Sequence, residues 1–119
     1  MQIELSNKEF RRLLDLVYMG NWVLNSTRGE DRFQDYDDLE SKLFGLSRHN
    51  GMGVLVEDWE GVPVPSQAYT EGGIHEAISY YEDNIFYEIL AEELSRREMD
   101  SYMDEFEVSG VDHLVLEEE

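Results

Sequence analysis

Apolar residues recur at helical spacing early in the chain, at Phe10, Leu13, Leu14, Val17 and Leu24, with Leu16, Met19 and Val23 widening the face. At about 100° per residue these positions cover more than half of a helix circumference. Ser6 and Glu9 stand three apart just before the run, the spacing of a capping box, so the helix is expected to start there. Gly20 falls inside the apolar arc, where it would let a neighbouring helix approach closely. The remaining stripe carries Arg11, Asp15, Tyr18, Trp22 and Asn25, with Asn21 at its edge. On this pattern the two asparagines border the buried face and do not enter the core.

Asn25 to Gly29 reads as a helix exit and turn. A second amphipathic helix is expected from about Glu30 to Ser47. Phe33, Tyr36, Leu39, Leu43, Phe44 and Leu46 make its inner face, with Asp31, Asp35, Asp38 and Lys42 opposite. Asn50, Gly51 and Gly53 mark its stop. Residues 51–70 form the irregular part: Gly53 to Val56 suits a short strand, Asp58 to Gly61 a turn, and Val62 to Pro65 an extended segment because of its prolines. A hairpin is expected in the first half of this loop. Thr70 can cap a third helix running from about Gly72 to Tyr102. Its apolar stripe begins at Ile74, Ile78, Tyr81 and Ile85 and drifts to Phe86, Leu90 and Leu94. Such drift predicts a helix touched on two sides, or one that bends near Glu92 to Arg97. A terminal strand is expected over 106–116, pairing with Val54 to Val56. The fold class that follows is a mainly α domain spanning 1–119, a three-helix antiparallel bundle-like body with a small β-hairpin or strand pair.

Composition narrows the functional classes. The 119 residues carry 28 Asp and Glu against 9 Lys and Arg, a net charge of −19, and only Lys8 and Lys42 are lysines. A surface this negative repels phosphate, which disfavours direct nucleic-acid binding and adsorption to anionic lipid. It attracts basic partners or divalent cations. Apolar content of 41% is enough to fill a core, so the charge does not imply disorder. Cysteine is absent, which removes disulfides and thiolate chemistry and fits a reducing, cytoplasmic setting. No basic-then-apolar leader opens the chain, and the apolar run Leu13 to Leu24 is interrupted by Asp15 and Asn21, so no membrane span is expected.

Candidate chemistry is sparse. None of His49, His75 and His113 follows a glutamate by three positions, and no His-x-x-x-His occurs, so a di-metal bundle is not signalled. Asp31, Asp35, Asp37 and Asp38 lack the glycine-bearing loop of an EF-hand. Glu71 and His75 are four apart, a weak pair at a helix start. Glu88 and Glu92 lie one turn apart near the line of Ile74 to Ile85, where raised pKa values would suit an acid and a base. Arg96, four residues past Glu92, offers a plain ion pair as the competing reading. A small carboxylate-based metal-dependent enzyme using Glu88, Glu92 and His75 is therefore the rival class. Neither a nucleophile elbow nor a phosphate loop is present, since Gly51-Met52-Gly53 and Gly72-Gly73 match no such motif. No catalytic set, resident metal or cofactor is expected.

The stripe Tyr18, Asn21, Trp22 and Asn25 is the best binding candidate, because amides and amphipathic aromatics suit polar ligands or a protein partner. Tyr80, Tyr81 and Tyr87 cannot all face one core and add aromatic surface. The segment LVYMGNWVLNS, followed by Arg28 and by Glu30, Asp31 and Arg32, resembles small acidic bacterial proteins of uncharacterised function. The resemblance spans the first two helices and implies a bacterial source. The functional expectation is a non-enzymatic acidic interaction or regulatory domain meeting a basic protein. Its sharper form is a nucleic-acid mimic in which Asp31, Asp35 and Asp38 stand in for phosphates. A homodimer through the Tyr and Trp stripe is a further expectation.

Overall fold

The structure is a computed structural model that describes the backbone of residues 1–113 and side chains through Asp104. It is mainly α, with three principal helices and one two-stranded antiparallel sheet. Helix α1 spans Asn7–Asn25 and α2 spans Gln34–Leu46. Two short 3-10 turns, Ser47–Asn50 and Gly53–Leu55, lead into strands β1, Val56–Trp59, and β2, Val62–Pro65. A single helical turn, α3 (Gln67–Tyr69), and a π turn at Thr70–Ile74 precede α4, His75–His113. The chain divides into two units, Met1–Ile78 and Ser79–Glu119.

In the first unit, α1 starts where its capping box predicts. Ser6 Oγ accepts from the Glu9 N–H at 3.1 Å, and Glu9 Oε1 accepts from the Ser6 N–H at 2.9 Å. The buried line along α1 then changes character. Phe10 and Leu14 are its buried apolar members, and Asn21 and Asn25 continue the same line as buried polar ones. Asn25 is only 1% exposed, whereas Leu16 and Val23, expected on the inner face, are exposed. Gly20 has open space where its Cβ would be. The glycine that does admit a neighbour is Gly45, where an added Cβ would meet the Pro63 ring at 3.3 Å and so allows the hairpin to lie close on α2.

The start of α2 adjoins the end of α1 through Asn25 and Phe33, and Phe44 near its end meets Phe10 and Leu14 in the core. The two helices therefore run antiparallel. Helix α2 begins at Gln34, four residues later than expected, and Asp31 lies in the preceding turn. Its inner line is Asp37, Glu40, Phe44, with Ser47 just beyond, while Tyr36, Leu39 and Leu46 are exposed. The polar half of α1 selects this rotation. Buried asparagine amides need acceptors, and the carboxylates of α2 supply them.

The irregular segment is more ordered than its composition suggests. Strand β1 lies later than expected, pairing Val56 with Pro65 through to Trp59 with Val62. Glu60 and Gly61 form the two-residue turn, both at positive φ (52° and 80°), which matches the right-handed twist of a hairpin. The serine that caps the next helix is Ser66 and not Thr70: its Oγ accepts from the Tyr69 N–H at 3.1 Å and donates to the Val54 carbonyl at 2.6 Å. Tyr69 is thereby seated against Phe44, ring centroids 4.9 Å apart. The core of this unit is Phe10, Leu14, Phe44, Val56, Tyr69, Ile74 and Ile78.

The second unit consists, over its described residues, of α4 beyond Ile78. The break in the helical path lies at Gly72 and Gly73, where φ reaches 112°, and not near Glu92 to Arg97. Residues 106–113 continue the helix, so the strand expected there is not formed, and the partner of Val56 is Pro65. Residues 114–116 of that expected strand lie outside the described residues.

Candidate functional site

Asn25 organises the floor of the site. Its Oδ1 accepts from the Phe33 N–H at 2.8 Å, and its Nδ2 donates to the Phe33 carbonyl at 3.0 Å. The amide thus pairs with Phe33 as a neighbouring strand would, and it fixes the turn that delivers α2. The same Nδ2 donates to Asn21 Oδ1 at 2.7 Å. That bond orients Asn21, whose Nδ2 donates to Asp37 Oδ1 at 2.9 Å and to Glu40 Oε1 at 3.1 Å. Every hydrogen-bonding atom of the two amides is used, which is what permits their burial.

Above this floor lies a pocket of about 300 Å³ lined by Tyr18, Asn21, Trp22, Ser26, Arg32, Asp37 and Glu40. That volume is at the small end for ligand sites and suits a single side chain or small polar group. Arg32 grips Asp37 with two bonds, Nε to Oδ2 at 2.9 Å and Nη2 to Oδ1 at 2.8 Å. The fork holds the Asp37 carboxyl below its usual range, with Asn21 adding to the effect. Glu40 moves the other way. Burial raises its pKa above the usual glutamate range, the Asn21 hydrogen bond opposes this, and the nearby Asp37 charge raises it further. Among the described residues the one hydrogen bond to the Glu40 side chain is that from Asn21. The arginine of the pocket bonds to Asp37; its charge lowers the Glu40 pKa in turn, but no salt bridge reaches Glu40 among the described residues.

One wall is aromatic. The Tyr18 and Trp22 rings stack at 6.2 Å, and His75 meets Trp22 edge-on at 4.7 Å. Tyr18 Oη and His75 Nε2 share a hydrogen bond of 2.7 Å. Burial, with the Glu40 charge second, raises the Tyr18 pKa, so the phenol stays neutral. Behind Tyr18, the buried Tyr69 hydroxyl donates to Asp15 Oδ1 at 2.7 Å, the oxygen that Arg11 Nη1 also reaches at 2.6 Å. Burial and Asp15 together hold the Tyr69 hydroxyl in its protonated form.

The expected binding residues thus separate. Tyr18, Asn21 and Trp22 line the pocket, while Asn25 lies beneath it as a structural latch. Asp31 is exposed and held by Arg28 at 2.9 Å, with its carboxyl lowered chiefly by backbone N–H groups. Asp35 accepts from the Tyr36 N–H, and Asp38 from Gln34 Nε2. With Asp31 off the helix, the three aspartates do not form a row on one helical face. His75, grouped with Glu88 and Glu92 in the rival reading, instead faces Tyr18 and Trp22. Glu71 takes Gln67 and not His75. Glu88 and Glu92 are exposed on α4, and Arg96 and Arg97 pair with Glu93, not with Glu92. Among the described residues no group of three His, Asp or Glu side chains has the proximity to hold a metal ion.

Arg32, Asp37 and Glu40 were not singled out by the pattern of the chain. The available signal was the i, i+4 pair Asn21 and Asn25 matched with the i, i+3 pair Asp37 and Glu40, two polar pairs on helices joined by a short turn. No family model, curated protein or solved structure matches this chain. No described helix is long and apolar enough to cross a membrane.

Proposed function

We propose that this chain is a non-enzymatic acidic interaction domain that captures a basic protein segment, seating one arginine or lysine side chain in the pocket between Trp22 and Glu40. The observation that carries the reading is the Glu40 carboxylate: drawn out of water, beside a second carboxylate, and with no salt bridge of its own among the described residues because Arg32 is bonded to Asp37, at the foot of an aromatic wall. A guanidinium or ammonium group entering there gains a charge-assisted bond to Glu40 and a cation–π contact with Trp22 or Tyr18. All seven arginines of the chain already pair with its own carboxylates, which leaves the excess of acid to an external cation. The surrounding negative field steers a basic partner toward the site and raises its on-rate at low salt.

Calorimetric titration with arginine-rich, lysine-rich and glutamate-rich peptides tests this. The basic peptides bind and weaken as salt rises, and the acidic peptide does not bind. Glu40→Gln and Trp22→Leu each weaken binding by about tenfold, about 1.4 kcal/mol, whereas Asp35→Asn and Asp38→Asn change it far less. The reading fails if no basic peptide binds at low salt, or if Glu40→Gln leaves binding untouched.

A further inference from the structure

Beyond Ile78, α4 carries an apolar seam with a defined rhythm. Ile85, Ile89, Glu92, Arg96, Met99 and Met103 follow one another at alternating steps of four and three, the spacing of a two-stranded helical seam. Ile89, Met99 and Met103 are exposed, and Glu92 and Arg96 sit in the middle of the row with their charges unburied. A helix with so much exposed apolar surface calls for a partner.

The order of residues along the seam says which partner. Reflected about the level of Leu94, the row maps onto itself: Ile85 falls opposite Met103, Ile89 opposite Met99, and Glu92 opposite Arg96. A parallel, in-register pair would instead set Glu92 against Glu92 and Arg96 against Arg96. From this self-complementarity we infer that α4 is a self-docking helix, two copies of the chain pairing antiparallel through this seam, with Glu92 of each opposite Arg96 of the other. The contact is isologous, as a two-fold dimer requires. Each like-sized apolar pair closes beside a mixed ion pair, so the polar layer fixes direction and register. Glu93, which flanks the seam, holds Arg96 and Arg97 within its own chain, so on pairing Arg96 exchanges Glu93 for the partner's Glu92 while Arg97 keeps Glu93 compensated.

The seam from Ile85 to Met103 is about 27 Å long, which places the contact among small, weak interfaces. The net charge of −19 on each copy opposes it. Association therefore strengthens with salt, the reverse of what the basic-peptide complex does.

Sedimentation equilibrium over micromolar to millimolar protein, at low and high salt, reads the dimer. Wild type is expected to dimerise at the upper end of this range, more so at high salt. Glu92→Arg and Arg96→Glu each weaken the dimer at least fivefold, although the first lowers the net charge and the second raises it. The double swap restores it, and an equimolar mixture of the two single variants forms a mixed dimer. Helicity by circular dichroism confirms that all variants remain folded. A monomer at every concentration and salt overturns the inference, as does a dimer indifferent to both single swaps.

Discussion

Replacing Asn25 by alanine strips the part-buried Phe33 N–H of its partner and frees the buried Asn21 Oδ1. Leaving such groups unmet costs about 2 kcal/mol, and Asn25→Ala should lower stability by that amount in chemical denaturation. Asn25→Asp should cost at least as much, because it removes both donors and buries a charge near Asp37. The sequence pattern put the two asparagines at the border of the core because it ranks positions by apolarity, and a fully satisfied amide defeats that ranking. Ser6 and Glu9 were legible because a cap needs only neighbours in the chain. The Asn25 latch joins residues on two elements, so its partners appear only once the turn is built.

Residue-scale electrostatics give a signed pH dependence. Glu40 has a folded pKa above its unfolded value, so the fold binds its proton more tightly, and its contribution to stability grows as pH falls from neutral toward about pH 4. Asp37 has a depressed folded pKa, so its contribution is present above about pH 4 and is lost as pH falls below it. Stability is then greatest in mildly acidic solution. Glu40→Gln should stabilise the protein at neutral pH and flatten the rise on mild acidification. Denaturant melts of both proteins across this range check the difference, which cancels the general relief of negative charge common to both.

At the scale of elements, the helices and hairpin were legible because each rests on local rules: caps, prolines and helical spacing. What local rules could not supply was rotation. Helix α2 turns Asp37 and Glu40 inward and leaves Leu39 exposed, against its apolarity, because α1 presents amides and not methyl groups opposite them. The same locality explains the glycines. Gly20 sits in the interior of α1 with nothing nearby, so Gly20→Ala should stabilise by about 0.5–1 kcal/mol through helix propensity. Gly73 holds φ at 112°, a conformation that L side chains resist, so Gly73→Ala should destabilise by about 1 kcal/mol or more. Thermal melts of the two variants should shift in opposite directions.

At the scale of the whole molecule, charge was the clearest signal in the sequence, and its use was not. Composition indicated an excess of acid but could not separate carboxylates that serve the fold from a half-buried one that no salt bridge reaches. Asp15, Asp31, Asp37, Asp58 and Glu93 are occupied by arginines, while Glu40 is not. The distinction depends on α2 placing Asp37 nearer Arg32 than Glu40, a matter of three-dimensional proximity. Two opposite salt dependences follow for two surfaces: capture of a basic segment weakens with salt, and pairing through α4 strengthens with it.

The pKa of Glu40 itself, followed by NMR through its side-chain carboxyl with and without an arginine-rich peptide, tests the central claim most directly. A cation bound at Glu40 stabilises the ionised form, so saturating peptide should pull the raised pKa down toward the ordinary glutamate range while those of Asp35 and Asp38 move little. A peptide that binds the protein yet leaves the Glu40 titration where it was would contradict the account.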